Sequence, residues 1–521
     1  MSVSNRKVTM LIVFFQIFYF SLSCSSFEKN NDKTFVFATY DDLKDWDPAT
    51  AFSLEVLPMS NIYEPLLWYD GSEKKHKLVP GLATSYSKSS DALEWTFTLR
   101  KGVRFHDNSE FDASTVKYVV ERNQSFNRGA SYIWSAVREI VILEKHKVLF
   151  RLNDPVPLDR IVSSQYGAWM YSKSISEISP DSIRKGYASG TGPYYLSDWT
   201  PNHKISLKKF DNYWGGWDKK NHFENVEIKI VNESSTRLQM VKNGIADYAA
   251  LIPVQLLGSL EDEPDIEVGY HPSWVNHFYL LNTKKFPTNN IWVRKAIAAA
   301  FDRETLSDYI YKNTGQLPEG LIPSNIPLFS APDSLIGFNL NTAKSWIDSS
   351  KVSFKDIKVD LSYVSSSEEY RLTALMLLDN LRKIGVSLKL EPGLWSVNWE
   401  KAKHLQSSPN IISMAWWPTY PTPSDWLFGL YNSQESPIFN LSHYENPIID
   451  SLIVEAWKSE SLYPQKSKNI YRNIQNILIE DCVAIPAVDL KIQSVRRKDI
   501  KGFKENPAYS TILFYHLWRD K

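Results

Sequence analysis

Residues 357–390 contain the feature that most constrains the fold, a strand, a helix and a second strand in immediate succession. Apolar and polar residues alternate with period two over 357–364, which is typical of a strand. The helix that follows carries five large apolar residues along one side: Leu372, Leu375, Leu378, Leu381 and Ile384. Gly385 ends this helix before the strand at 386–390. Such a crossover joins parallel strands, so the sequence predicts an α/β architecture with a parallel sheet.

The length of the chain, 521 residues, exceeds what a single hydrophobic core organises and predicts two or three domains. Strand-like and helix-like segments alternate along it, and no short repeat indicates a solenoid or a propeller. Hydrophobic residues make up 43% and charged residues 23%, which is typical of a globular chain. The 59 basic and 59 acidic residues balance, so the net charge favours no nucleic-acid partner.

Residues 1–23 have the pattern of a secretory signal peptide. A basic pair precedes an apolar stretch, residues 8–20, which is too short to span a bilayer as a mature helix. Small residues and Cys24 follow in a pattern similar to a bacterial lipobox, although Ser21 stands where leucine is usual. We predict export, lipidation of Cys24, and a polar tether at 24–33. The alternative is an ordinary signal peptide followed by a chance cysteine.

Two further segments have a clear local pattern. Residues 94–100 alternate strictly, turn at Lys101 and Gly102, and continue into residues 103–106. This pattern predicts an antiparallel hairpin with one solvated face. Residues 293–300 are rich in alanine, the strongest helix former, and predict a helix.

A series of motifs carries a resemblance to a known family. Residues 82–107 read LATSYSKSSDALEWTFTLRKGVRFHD. The other motifs are NIYEPL at 61–66, GTGPY at 190–194, DNYW at 211–214, VR at 293–294, AFDR at 300–303 and YPTP at 420–423. In this order they resemble the peptide/nickel-binding family, family 5, of ABC-transporter extracellular solute-binding proteins, of the oligopeptide- and dipeptide-binding type. The similarity extends over residues 35–503.

The resemblance implies an α/β, two-lobed periplasmic-binding-protein-like fold of the three-domain, cluster C type. A ligand would be enclosed in a hinged cleft between the lobes. Lobe 1 is expected to combine a discontinuous domain I, residues 34–70, 188–272 and 486–521, with an inserted domain II, residues 71–187. Lobe 2, or domain III, would comprise residues 273–485.

Some residues of these motifs are interpreted as scaffold. Gly190 and Gly192 predict a tight turn where the chain passes between domains. Four polar residues near the predicted hairpin suggest a structural network rather than a catalytic cluster. They are Arg100, Arg104, His106 and Asp107.

In the peptide-binding branch of the family, a segment of the type Gly-Trp-x-x-Asp-Tyr-x-x-Pro lines the cleft, and its Asp receives the α-ammonium of the peptide. The matching residues 415–423 read AWWPTYPTP. Thr419 therefore stands at the Asp position and lacks the charge-assisted part of that hydrogen bond. Asp425 either substitutes for the missing acid or caps a helix beginning near Trp426, and capping is the preferred interpretation.

Aromatic side chains supply most of the remaining candidates. Trp416 and Trp417 are adjacent rings on a proline-stiffened loop, so at least one is expected to face the cleft. The full set of predicted ligand-binding residues is Trp416, Trp417, Thr419, Tyr420, Asp425, Trp395, Trp399, Tyr40 and Trp46. The last four have the alternative of belonging to the hydrophobic core.

The function that the resemblance implies is capture of an oligopeptide or dipeptide and its delivery to ABC permease and ATPase subunits. We expect a periplasmic or cell-surface lipoprotein that is monomeric, binds no nucleic acid, needs no cofactor or metal, and is not an enzyme. The alternatives are an oligosaccharide or a metal chelate bound by the same fold, and a secreted hydrolase. Against the hydrolase, the sequence lacks the Gly-x-Ser-x-Gly, His-Glu-x-x-His and P-loop motifs.

Overall fold

The computed structural model describes residues 32–71, 77–126, 128–260, 262–504, 506–509 and 511–520. The predicted signal peptide, Cys24 and most of the predicted tether lie outside the described residues. Within the ranges given, no helix is both long enough and apolar enough to cross a membrane.

Strands and helices alternate through the described part of the chain. The strands are β1 Thr34–Thr39, β2 Leu67–Asp70, β3 Lys77–Pro80, β4 Ala83–Lys88, β5 Glu94–Leu99, β6 Val137–Glu144, β7 Lys147–Leu152, β8 Tyr194–Thr200, β9 Lys204–Lys209, β10 Asn225–Ile230, β11 Tyr248–Ala249, β12 Ile266–Leu281, β13 Lys358–Val364, β14 Ser387–Gly393, β15 Ile411–Trp416, β16 Ala484–Arg497, β17 Ile500–Lys501 and β18 Trp518–Arg519. The helices are α1 Val56–Ile62, α2 Ala113–Phe126, α3 Leu158–Ile161, α4 Pro180–Arg184, α5 Ser234–Lys242, α6 Val254–Leu257, α7 Ile291–Ala299, α8 Arg303–Thr305, α9 Leu340–Ser350, α10 Glu368–Lys383, α11 Trp395–Ala402, α12 Pro423–Leu430, α13 Pro447–Ser459 and α14 Pro464–Glu480.

A mixed ten-stranded sheet runs through the molecule in the order β14-β13-β15-β12-β16-β11-β1-β10-β9-β8. Strands β13 and β14 pair in parallel, from Lys358 opposite Ser387 to Val364 opposite Gly393. Helix α10 connects them, so the strand, helix and strand predicted at 357–390 are confirmed. The helix predicted at 293–300 is also confirmed, as α7.

The buried face of α10 differs from the predicted one. Leu375 is 40% exposed, whereas Ala374 and Leu377 are fully buried. Thr373 and Asn380 are buried as well, and the Asn380 side-chain amide donates to the carbonyl oxygen of Ala300 at 3.0 Å. The leucine spacing therefore predicted the helix correctly, but the buried face is rotated from the predicted one. The reason is that small and polar residues occupy part of the interface.

The predicted hairpin is wrong in its pairing. Strand β5 does alternate, with Trp95, Phe97 and Leu99 buried. Its partners are β4 and β7, in an antiparallel sheet of order β4-β5-β7-β6, and residues 103–106 form no strand with it. The chain turns after Leu99 and leaves the sheet, while a strand some 50 residues later takes the neighbouring place.

Gly190 and Gly192 serve a close approach rather than a special turn conformation. Neither has a positive φ. A Cβ atom on Gly190 would lie 1.9 Å from the carbonyl oxygen of Ile62, and one on Gly192 would lie 2.6 Å from that of Asn61. His106 binds the same segment, because its Nε2 lies 2.9 Å from the carbonyl oxygen of Gly192. These contacts favour the interpretation of this region as scaffold.

Two long antiparallel strands, β12 and β16, lie in the middle of the large sheet. Residues 275–280 of β12 pair with 484–490, and residues 266–271 pair with 492–497, with a register irregularity between His271 and Val275. On one side of that irregularity β12 also pairs with β15, and on the other β16 also pairs with β11. The domain boundaries given above stay predictions, but this irregularity marks where the chain passes from one part of the sheet to the other.

Candidate ligand-binding cleft

A cavity of about 360 Å³ lies where residues 37–58, 248–252, 364–370 and 414–419 come together. Most of its lining side chains are aromatic or aliphatic, with a few polar groups among them. This size and composition are typical of a site that encloses a small molecule.

Trp416 is the last residue of strand β15 and lines this cavity. The strand pairs with β12, and the indole of Trp416 packs edge-on against Phe439, with ring centroids 5.0 Å apart. On its other side the indole covers Gly429, where a Cβ atom would lie 2.7 Å from the ring. Trp416 is therefore a fixed wall of the cavity, with only 5% of its surface exposed.

Asp425 holds the loop between β15 and α12 from inside. It is fully buried, and its Oδ2 accepts hydrogen bonds from the Thr419 amide at 2.8 Å and from Trp416 Nε1 at 3.1 Å. Its Oδ1 accepts from the Tyr132 hydroxyl at 2.8 Å. Burial raises the pKa of Asp425 to about 6, although these donors favour the charged form.

The capping interpretation of Asp425 is wrong in detail. Helix α12 begins at Pro423, so Asp425 lies within its first turn, and Thr422 occupies the N-cap position without a side-chain cap. The carboxylate instead reaches back to the amide of Thr419. Proline at the first helical position needs no hydrogen bond there, which accounts for the earlier start.

Trp417 and Trp395 line the cavity, and each donates a hydrogen bond to another lining residue. Trp417 is half-buried, and its indole N–H donates to the Tyr166 hydroxyl at 3.0 Å. The Tyr166 hydroxyl in turn donates to the carbonyl oxygen of Ser53. The indole N–H of Trp395 donates to the Ser53 hydroxyl at 3.1 Å. Rings from the later part of the chain are thus hydrogen-bonded to residues near its beginning.

The structure separates the predicted ligand-binding residues into two groups. Those that line the cavity are Tyr40, Trp395, Trp416, Trp417 and Thr419. Those outside the lining are Trp46, Trp399, Tyr420 and Asp425. Trp46 is fully buried and packs edge-on against Trp199, and Trp399 lies between Trp395 and Phe439 in a parallel stack. A direct ligand contact for any of the nine stays a prediction.

Sequence reasoning missed the charged residues of the cavity, which are Asp41, Glu369 and Lys491. The acidic pair Asp41-Asp42, directly after the first strand and next to Tyr40, was the available signal. Glu369 resembled an ordinary acid in the first turn of a helix. Its carboxylate accepts from the Val254 amide at 2.7 Å and from the Ser367 hydroxyl at 3.0 Å. In the part of the chain that the structure describes, no three His, Cys, Asp or Glu side chains are grouped to hold a metal ion.

The mixed sheet and the largely apolar cavity lined from several parts of the chain are typical of a protein that binds a small molecule. Residues 77–437 match the sequence profile of bacterial extracellular solute-binding proteins, family 5 Middle. The chain belongs to this family of solute-binding proteins.

Comparison with individual proteins agrees. The chain is 26% identical over 458 residues to the probable D,D-dipeptide-binding periplasmic protein DdpA of Escherichia coli, covering 87% of each chain. The fold matches the periplasmic binding protein DppA of Helicobacter pylori in complex with the peptide STSA, with a TM-score of 0.83, 24% identity and coverage of 94% and 98%. It also matches the dipeptide-binding protein of Pseudoalteromonas in complex with Met-Leu, with a TM-score of 0.84, 21% identity and coverage of 94% and 100%.

Proposed function

We propose that this protein is the exported receptor of an ABC importer that captures a short peptide in the cavity and delivers it to a permease. The observation that carries the proposal is the cavity, whose aromatic lining residues come from early and later parts of the chain, from Phe37 to Phe439. Such a site holds a small molecule by surrounding it, and closure of the lobes limits its escape.

Short peptides fit the lining better than oligosaccharides do. The rings of Trp395 and Trp399 stack on each other at 6.2 Å, and Trp399 stacks on Phe439 at 5.1 Å, so much of their flat surface is already covered. The lining contains both signs of charge, Asp41 and Glu369 against Lys491. Peptides carry an ammonium and a carboxylate, and the relatives include a probable D,D-dipeptide-binding protein.

Calorimetry of the purified protein tests the ligand class. It should bind members of a dipeptide and tripeptide library, and Trp417→Ala should weaken binding by about 2 kcal/mol, roughly 30-fold. The control is Trp292→Ala, which removes an exposed indole outside the cavity and should leave affinity unchanged. Binding of oligosaccharides or nickel–histidine without binding of any peptide would overturn the proposal.

We also propose that lipid on Cys24 attaches the protein to the membrane, so that it stays close to its permease. Several acyl chains on one residue hold a protein stably at a bilayer, whereas a single chain does not. Expressed in a bacterium, wild-type protein should fractionate with membranes, and Cys24→Ser should release it as soluble exported protein. A variant that still fractionates with membranes would contradict the anchor while leaving peptide capture unaffected.

A further inference from the structure

Asp41 has a carboxylate oxygen without a protein partner. The residue follows β1, lines the cavity and is only 6% exposed. Its Oδ1 accepts a hydrogen bond from the Asp42 amide at 2.9 Å. Its Oδ2 is buried and accepts none from the described residues. A buried carboxylate oxygen without a donor is unfavourable, so a donor on a bound molecule would stabilise this side chain.

Among the described residues, neither Lys491 nor Arg237 forms an ion pair with the Asp41 carboxylate. Lys491 lines the same cavity, yet no ion pair joins it to Asp41 in the structure described. Arg237 is close enough to influence Tyr40, but its guanidinium donates to four main-chain carbonyl oxygens. Glu369, the other acid of the lining, already has a donor on each oxygen. Of the two acids among the described lining residues, Asp41 is therefore the one with an oxygen that lacks a donor.

The hydrogen bonding of the Asp41 carboxylate favours one kind of cation over others. A guanidinium prefers to bind both oxygens of a carboxylate, and Oδ1 of Asp41 is already engaged by a main-chain amide. A bare divalent metal ion needs several oxygen ligands, and the described residues provide no group of three acids or histidines. A primary ammonium can place a single N–H on Oδ2 and offer its other N–H groups elsewhere.

We propose that the Asp41 carboxylate is the anchor for the primary ammonium group of the ligand. The anchor then lies just after β1, in a different segment of the chain from the loop of Thr419, which supplies no charge. This inference rests on the proposed capture of a short peptide and specifies one with a free amino terminus. An N-blocked peptide would leave Oδ2 without a partner and should be rejected.

A double-mutant cycle tests the anchor. The probes are the tightest peptide from the dipeptide and tripeptide library and its N-acetylated form. Acetylation of the peptide should weaken binding to the wild-type protein by roughly 10- to 100-fold, the range for losing a hydrogen bond to a charged group. Asp41→Asn should weaken binding of the free peptide by a similar factor, and acetylation should then have little further effect.

Asp42→Asn is the matched control, because it removes the same charge one residue away. Asp42 lies outside the lining and accepts from Trp199 Nε1 and the Asn202 amide, so its variant should change affinity less than about threefold. Equal affinity of wild type and Asp41→Asn, or of free and acetylated peptide, overturns the anchor but leaves peptide capture intact.

If no library peptide binds, the proposed function fails, and compounds eluted from denatured wild-type protein decide the anchor. An amine-reactive label read by mass spectrometry should mark them, and they should be missing from purified Asp41→Asn. Eluted compounds without a primary amine would exclude the anchor.

Discussion

Asp425 binds the loop of Thr419, the residue that the resemblance places at the acid position of the family motif. The Thr419 amide donates to Asp425 Oδ2, so the acid six residues later fixes the loop. An aspartate at position 419 would then place a second carboxylate beside a fully buried one. Two like charges in such a site disfavour each other, so Thr419→Asp is not a simple way to restore an ammonium site.

A second buried acid makes stability depend on pH. Glu64 accepts hydrogen bonds from Trp214 Nε1 at 2.7 Å and from the hydroxyls of Thr191 and Tyr213 at 2.8 Å each. Burial raises its pKa to about 7. Its stabilising contribution is fully present below the unfolded pKa of about 4 and is lost as pH rises through about 7.

The free energy of unfolding should therefore fall from pH 4 to pH 7, with Glu64 contributing about 3 kcal/mol of that fall. In Glu64→Gln, the fall in the free energy of unfolding between pH 4 and pH 7, measured by denaturant unfolding, should be smaller by this amount. Part of the fall should remain, because burial also raises the pKa of Asp489 to about 7. Glu435→Gln, an exposed change, is the control. An identical pH slope in wild type and Glu64→Gln would contradict the prediction.

The sequence indicates the kind of residue in the cleft better than its exact identity. Adjacent rings on a proline-rich loop predicted Trp416 and Trp417, and both line the cavity. Asp41 was missed despite the signal of the acidic pair beside Tyr40, because an acid after a strand is ordinary until its surroundings are known. Trp46 lies outside the lining and is fully buried, since an aromatic ring near a predicted site is also a good core residue.

Helix α10 allows the core-facing side of an element to be tested by a matched pair of leucines. Leu377 is fully buried, and Leu375, two residues earlier on the same helix, is 40% exposed. Leu377→Ala should reduce the free energy of unfolding by about 3 kcal/mol, because it leaves a cavity. Leu375→Ala should cost about 0.5 kcal/mol or less, since helix propensity is kept. Similar losses in both variants, measured by urea unfolding, would mean that the helix face is assigned wrongly.

Individual strands and helices are easier to predict from the sequence than the strands with which they pair. Period-two alternation identified β5, because burial of one face depends only on the residues of the strand. Its pairing with β7 depends on residues about 50 positions later, and no local pattern specifies that. The unit at 357–390 was predictable as a whole because its two parallel strands are joined by one helix.

At the scale of the whole molecule, two side-chain hydrogen bonds join earlier and later parts of the chain. Tyr132 donates to Asp425, and Trp417 donates to Tyr166. The predicted domain boundaries place the partners of each bond in different lobes. Because β12 and β16 pass between the two parts of the sheet with an irregular register at 271–275, we expect the lobes to move about this place.

Ligand binding should shift the protein towards the closed form, and small-angle scattering should record a smaller radius of gyration with saturating peptide.

The bond from the Tyr132 hydroxyl to Asp425 would be made only when the lobes are closed. Tyr132→Phe should therefore destabilise closure by about 1.5 kcal/mol or more and raise the Kd roughly tenfold, although Tyr132 does not line the cavity. Tyr118→Phe is the matched control, since the Tyr118 hydroxyl makes no hydrogen bond with the described residues. The radius of gyration of ligand-free Tyr132→Phe should equal or exceed that of the wild type. An unchanged Kd in Tyr132→Phe, or no compaction of the wild type with a tightly bound peptide, would argue against closure through this bond.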